Sequence, residues 1–264
     1  YTRMKGFLVR KALYSGWDNM LPIIAVNVVT LTVIFGGFYL ATLVSAILPL
    51  AIAVFVSACL LGGILLAACS VVMAGVAGYK PFTFKGYVAA IKSVWLHGLL
   101  FSAIVIAGVV VAHVAITYYL SLGNPIAFAC AILLFWVVVL SVLSLQWFLP
   151  IRSQLESGFV KTIKKSFLIF FDNPGLSIFM FFYSAILFAL SVVLCGFAPG
   201  FAGVILSQNE AFRLLMYKYD WLEKHPEADL RAARKAVPWD ELIAEDYETI
   251  GHRSLKSFIF PWMD

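Results

Sequence analysis

Charge is scarce in this chain, and its distribution is more telling than its amount. Residues 19–79, 93–151 and 173–209 contain no Asp, Glu, Lys or Arg, so all 19 cationic and all 14 acidic side chains lie outside those blocks. Only 12% of the chain is charged, against roughly 25% in a soluble domain. A water-soluble core does not enforce such segregation. A bilayer does, because a charge at its centre costs about 2.5–3.5 kcal/mol on insertion scales. The three blocks therefore read as membrane-embedded.

Other absences narrow the chemistry. The four cysteines, Cys59, Cys69, Cys130 and Cys195, all fall inside apolar blocks, with no C-x-x-C pair and no metal-ligand spacing. They read as small buried apolar residues. There is no G-x-x-x-x-G-K-[ST], H-E-x-x-H, G-x-S-x-G or Gly-rich dinucleotide loop. The blocks hold no pair of carboxylates, which weighs against a cation-coupled carrier. They hold no paired-Asp or Ser/His set for intramembrane hydrolysis. The expectation is a non-enzymatic protein with no cofactor and no metal. The basic stretch 3–11 runs into a full-length span without a small-residue cleavage site, so no secretory leader is expected. The first residue is Tyr1, which leaves the native start open.

A helix needs about 20 apolar residues to cross hydrocarbon. The first two blocks accommodate two spans each, near 21–43, 47–74, 98–120 and 126–149, with turns near Ser45 and at Gly123-Asn124-Pro125. The third block supplies a fifth span, 175–197. Pro199-Gly200 breaks it, and 201–217 returns as a short sixth helix. Hydropathy alone rejects that return, because it carries Gln208, Asn209, Glu210 and Arg213. Charge placement favours it. Lys and Arg gather before span one, between spans two and three, and between spans four and five, and the tail is also rich in them. By the positive-inside rule these segments are cytoplasmic, and only an even number of spans keeps the tail with them. The alternative is five spans with an external tail.

The blocks are introduced by similar segments: Lys5-Gly6-Phe7-Leu8 leading to Lys11 and Trp17, Lys85-Gly86-Tyr87-Val88 leading to Lys92 and Trp95, and Ser157-Gly158-Phe159-Val160 leading to Lys164, Lys165 and Phe171. The first and third end alike, in Asp18-Asn19 and Asp172-Asn173. Each has the composition of an interfacial amphipathic helix, with Lys11, Trp17, Lys92, Trp95, Lys164 and Lys165 as anchors. The expected fold is all-α: six transmembrane helices as three hairpins, each preceded by a cytoplasmic interfacial helix, and a short helical C-terminal tail. The pseudo-repeats cover about 5–79, 83–151 and 155–217 of a bundle over 1–217, with a cytoplasmic tail over 218–264.

Ala58, Gly62, Ser70, Ala74 and Gly78, flanked by Gly63 and Ala67, put small residues on one face of the second span. Such a face packs tightly within the bundle or forms a seam with another subunit. His113 is the imidazole deepest in a span, a group for hydrogen bonding within the bundle or, less simply, for a pigment ligand or proton relay. Asn27, Thr117, Tyr118, Tyr119 and Gln146 are expected to bond between helices. Glu210 and Arg213 lie one turn apart and either pair or line a cavity.

From residue 210 onward the chain has eleven Asp/Glu against eight Lys/Arg. A short helix is expected over 228–236 and another from Pro238 to a stop at Gly251. Trp239, Leu242, Ile243, Tyr247 and Ile250 share one face of the second, and with Trp262 they form a docking surface for the bundle itself or for a partner. Basic residues here suit anionic lipid headgroups rather than nucleic acid.

The opening Lys11-Ala12-Leu13, Trp17-Asp18-Asn19 and Asn27, the basic segments alternating with hairpins, and the Pro199-Gly200 break together resemble the YesL-like family of bacterial multi-pass membrane proteins over about residues 5–217. That resemblance implies a place in the bacterial plasma (inner) membrane and an accessory role beside carbohydrate uptake; it implies no catalytic residues. The expected function is a membrane scaffold or accessory subunit, in contact with the lipid bilayer and with other membrane-protein subunits. The alternative is a transporter or channel for a neutral or amphipathic solute. An enzyme acting on lipids is the remaining reading.

Overall fold

The computed structural model describes residues 2–225 and 237–250. Of the described residues 87% are helical and none lies in a strand. It opens with α1 (Thr2–Asp18), α2 (Met20–Leu43) and α3 (Leu48–Ala77). α4 (Phe84–Ser121), α5 (Pro125–Leu145) and α6 (Phe148–Leu155) follow, then α7 (Phe159–Asp172), α8 (Pro174–Val193) and α9 (Gly200–Lys224). Two short tail helices close the described chain, α10 (Trp239–Leu242) and α11 (Ala244–Ile250). Among the described residues, five helical stretches are long and apolar enough to cross a membrane: Met20–Leu43, Leu48–Ala77, Phe84–Ser121, Pro125–Leu155 and Pro174–Val193. The protein is an all-α membrane protein.

Local chemistry sets the boundaries. Pro49, Pro125 and Pro174 occupy first turns, where their missing N–H is no loss. Thr83 caps α4 by accepting from the Gly86 amide at 3.1 Å, and Asn124 caps α5 by accepting from Ala127 at 2.8 Å. Between α1 and α2, Asn19 folds back to donate to the Ser15 carbonyl at 2.9 Å.

α2, α3 and α4 pack side by side through small residues. Gly37 meets Ala58, and Gly62 meets Ile34. On the other face of α3, Gly63 lies against Ser102, and a Cβ on Gly98 would sit 2.8 Å from the Ile64 Cα. Ala58, Gly62, Ala67 and Ser70 are buried, with Gly63 and Ala74 partly so. The small face is thus divided between two neighbouring helices. Most of the outward surface is large and apolar, for example Phe35, Val109, Leu133 and Ile186, which suits hydrocarbon.

Three expectations need correction. The segment carrying Lys92 and Trp95 is not a separate interfacial helix but the first part of the 38-residue α4. Asn19 and Asn173 break the chain in the first and third segments, whereas residues 84–98 contain no comparable stop. The helix expected from Pro238 splits at Ile243 into α10 and α11. His113, Thr117 and Tyr118 point outward from α4 rather than into the bundle; an apolar window locates a helix in the membrane without saying which face turns to protein. The expected helix over 228–236 and Trp262 lie outside the described residues.

α9 is the centre of the assembly. It touches α1, α2, α3, α6 and α8, and Ala202, Leu206, Asn209, Glu210, Ala211, Phe212, Leu214 and Leu215 are almost wholly buried. Its start lies partway along α2. Gly196, in the turn before it, abuts Leu31, while α2 continues from Leu31 to Leu43, about 18 Å further at 1.5 Å per residue.

Candidate functional site: the polar column of α9

Polar groups meet at four successive levels along α9. At the start, Asn27 of α2 donates to the carbonyls of Phe197 and Pro199 at 2.8 and 3.0 Å and accepts from the Ala202 amide at 2.9 Å. Ser191 accepts from the Gly200 amide at 2.7 Å. The first turn of a helix leaves amides without intrahelical partners, and these two side chains take two of them inside an apolar bundle.

Two turns further, Asn209 donates to the Ser70 hydroxyl at 3.1 Å, Ser153 donates to the same hydroxyl at 2.8 Å, and Gln154 donates to the Asn209 carbonyl at 2.9 Å. This staple joins α3, α6 and α9. Asn209 and Ser70 are fully buried, so each bond replaces an otherwise unsatisfied polar group.

The third layer is charged. Lys11 of α1, Glu210 of α9 and Asp246 of α11 are 1%, 0% and 3% exposed. The Lys11 ammonium lies 3.5 Å from Asp246 Oδ1 and 4.4 Å from the centre of the Tyr79 ring. Burial lowers the Lys11 pKa from its ordinary value, and the neighbouring Asp246 and Glu210 oppose that shift. Burial likewise raises the Tyr79 pKa, with Asp246 adding to it. Tyr79 takes a left-handed φ of 62° in the turn after α3. Arg213 does not pair with Glu210. It donates through Nε to the Tyr217 hydroxyl at 2.8 Å and lies over the Tyr79 ring at 5.5 Å.

In the fourth layer Lys218, 1% exposed, donates to Asn173 Oδ1 at 2.6 Å and reaches Asp172 Oδ2 at 3.3 Å. Tyr219 donates to Asp172 at 2.8 Å and accepts from Asn173 at 2.7 Å. The far end of α9 thereby clamps the break between α7 and α8.

Sequence reasoning placed Lys11 among the surface anchors. It is instead inside, because Met4, Leu8 and Lys11 share the α1 face that turns toward α9 rather than toward lipid. Trp17, Lys92, Trp95 and Lys164 are exposed and Lys165 is half-buried. Of the tail residues, Trp239, Ile243 and Ile250 are buried with α1 and α9, and Leu242 packs beside them. Tyr247 is 44% exposed but rests on Phe7 with ring centres 4.7 Å apart. Gln146 donates to the Ser177 carbonyl at 2.9 Å and Trp147 to the Ser177 hydroxyl at 2.9 Å, tying α5 and its continuation to α8.

The buried roles of Lys218 and Asp246 were not anticipated. A signal for Lys218 was present: Leu206, Glu210, Leu214 and Lys218 recur every four residues, the spacing of one helix face. Asp246 carried none, since its position depends on how the tail docks.

Two cavities border the column. One, of about 260 Å³, opens between α1, the turn after α3 and α11, and is lined by Tyr14, Ser15, Asp18, Tyr79, Lys80 and Thr249 among others. The other, of about 340 Å³, is almost entirely apolar and lies between α2 and the α8–α9 turn, beside Leu31, Phe35, Phe188, Val192 and Phe201.

The chain matches no known protein family, no curated protein and no solved structure.

Proposed function

We infer that this chain is a non-enzymatic multi-pass membrane scaffold or accessory subunit of a larger membrane complex. One observation carries the reading. Apart from Glu210, the polar groups along α9 are engaged with α2, α3, α6 and the α7–α8 break, so they join helices instead of lining a route. Beyond Asn27 the adjoining cavity is walled by Leu31, Ile34, Phe35, Phe188 and Val192, a poor path for a polar solute. In this reading α9 is the sixth, protein-enclosed crossing helix, which completes three hairpins, with both termini cytoplasmic in the bacterial plasma membrane. The polar character that removes α9 from a hydropathy scan is tolerated where neighbouring helices satisfy it. The YesL-like resemblance adds an association with a transport system. Purification in mild detergent followed by native mass spectrometry tests the proposal. A stoichiometric membrane-protein partner is expected; a stable solitary monomer contradicts it.

The cavity beside Tyr79 and Lys80 favours a second reading, a carrier for a neutral or amphipathic solute entered from the basic side. Uptake into proteoliposomes distinguishes the two.

A further inference from the structure

At the charged end of the bundle, one ammonium faces carboxyl groups on two different elements. Lys11 lies 3.5 Å from Asp246 Oδ1, beyond a good hydrogen bond, and within electrostatic reach of Glu210 and Arg213. Among the described residues, the Lys11 ammonium, both Glu210 oxygens and Asp246 Oδ2 are buried without a close hydrogen-bonding partner. Arg213 attracts Glu210 from a distance but forms no ion pair with it, because its Nε is bonded to Tyr217 and its guanidinium lies over Tyr79. Among the described residues, these together with Tyr79 and Tyr217 are the titratable and charged groups around the ammonium. Ser15 lies beside Glu210, and the Tyr79 and Tyr217 hydroxyls lie beside Asp246, but Lys11 is the cation that both acids share.

We propose that Lys11, Glu210 and Asp246 form a two-position latch that holds or releases the C-terminal tail. Glu210 belongs to the central helix; Asp246 is carried by the tail. When Lys11 pairs with Asp246, α10 and α11 stay seated on α1, with Trp239, Ile243 and Ile250 buried beneath them. When Lys11 turns to Glu210, Asp246 becomes an unpaired buried carboxylate, and the tail must lift to hydrate it. Apolar contact supplies the adhesion, and the charge triad sets how often the tail is seated. The exposed Arg3–Asp240 pair, at 2.6 Å, is a weaker tether because water screens it. The latch is independent of whether the protein serves as a scaffold or as a carrier.

Hydrogen exchange on the full chain in detergent tests this, read as amide protection over residues 239–250 with α9 as internal reference. Asp246→Asn is expected to lower tail protection by about tenfold or more, leaving α9 unchanged. Glu210→Gln is expected to raise tail protection, because Asp246 then has Lys11 to itself. Unchanged tail protection in Asp246→Asn overturns the latch, as does unchanged or lower tail protection in Glu210→Gln with α9 intact. Should Glu210→Gln loosen α9 itself, the Lys11→Met background decides. There the buried Asp246 carboxylate has lost its cation, so Asp246→Asn is expected to raise tail protection, and no change or a further loss overturns the proposal.

Discussion

The side chain of Asn27 occupies the space that a Cβ on Gly200 would need. Gly200 also holds a φ of 59°, a conformation glycine adopts freely and L side chains do not. Two constraints, one steric and one conformational, therefore meet where α9 begins. Gly200→Ala is predicted to destabilise the protein by at least about 1–3 kcal/mol. Gly108→Ala is the control, since a Cβ there meets open space. Thermal unfolding in detergent should show a clear fall for the first and none for the second.

Contact between α3 and α4 depends on two glycines. A Cβ on Gly98 would stand 2.8 Å from the Ile64 Cα and 2.9 Å from the Gly63 carbonyl oxygen. Backbone atoms cannot rotate away, so Gly98→Val must push the helices apart. The expected cost is about 1–3 kcal/mol, visible as a lower melting temperature. A melting temperature matching the parent would mean the two helices are not in such close contact.

The clamp on the α7–α8 break predicts unequal lysines. Lys218→Met removes the cation that holds Asn173 and Asp172, and loss of a charge-assisted bond costs about 1.5–3 kcal/mol. Lys224, at the exposed end of the same helix, has no such position, and Lys224→Met should be silent. Limited proteolysis near residues 172–174 gives a direct readout: faster cleavage in Lys218→Met alone.

Lys11 predicts an alkaline signature with a definite sign. Its folded-state pKa lies below 10.5 because burial disfavours the ammonium. Between that lowered value and 10.5 the unfolded chain carries the proton and the folded chain does not, so the Lys11 contribution to stability rises with pH. Tyr79 acts oppositely: its pKa is raised above 10, so above that pH the unfolded chain loses its proton first and stability falls. Chemical unfolding across this range should show the parent gaining on Lys11→Met as pH climbs toward 10.5. A gap that shrinks instead contradicts the burial of Lys11.

Much of the bundle was legible before any coordinates. The charge-free blocks marked α2, α3, α5 and α8 closely, because exclusion of charge from hydrocarbon is a strong, local constraint. Pro125 and Pro174 sharpened two starts. Asn27 stood out as a polar residue in apolar surroundings, and it proved to be a joint between helices. What the chain could not disclose is direction. His113 and Gln146 are both polar residues in apolar stretches, yet one faces outward and the other reaches Ser177. Lys11 resembled any interfacial lysine until α9 and α11 closed around it. α9 itself was visible only through charge symmetry and the otherwise incomplete third repeat, since a helix enclosed by protein need not be apolar in composition.

The account rests most on the two ends of the chain lying on one side of the membrane, with α9 completing an even number of crossings. Arg3 and Asp240 have side chains 80% and 67% exposed and touch at 2.6 Å, so each is a suitable reporter. With the four native cysteines replaced, Arg3→Cys and Asp240→Cys can be labelled separately by a membrane-impermeant maleimide in sealed vesicles of both orientations. Both positions are predicted to react only when the cytoplasmic face is outward. Labelling of the two from opposite faces would contradict the account.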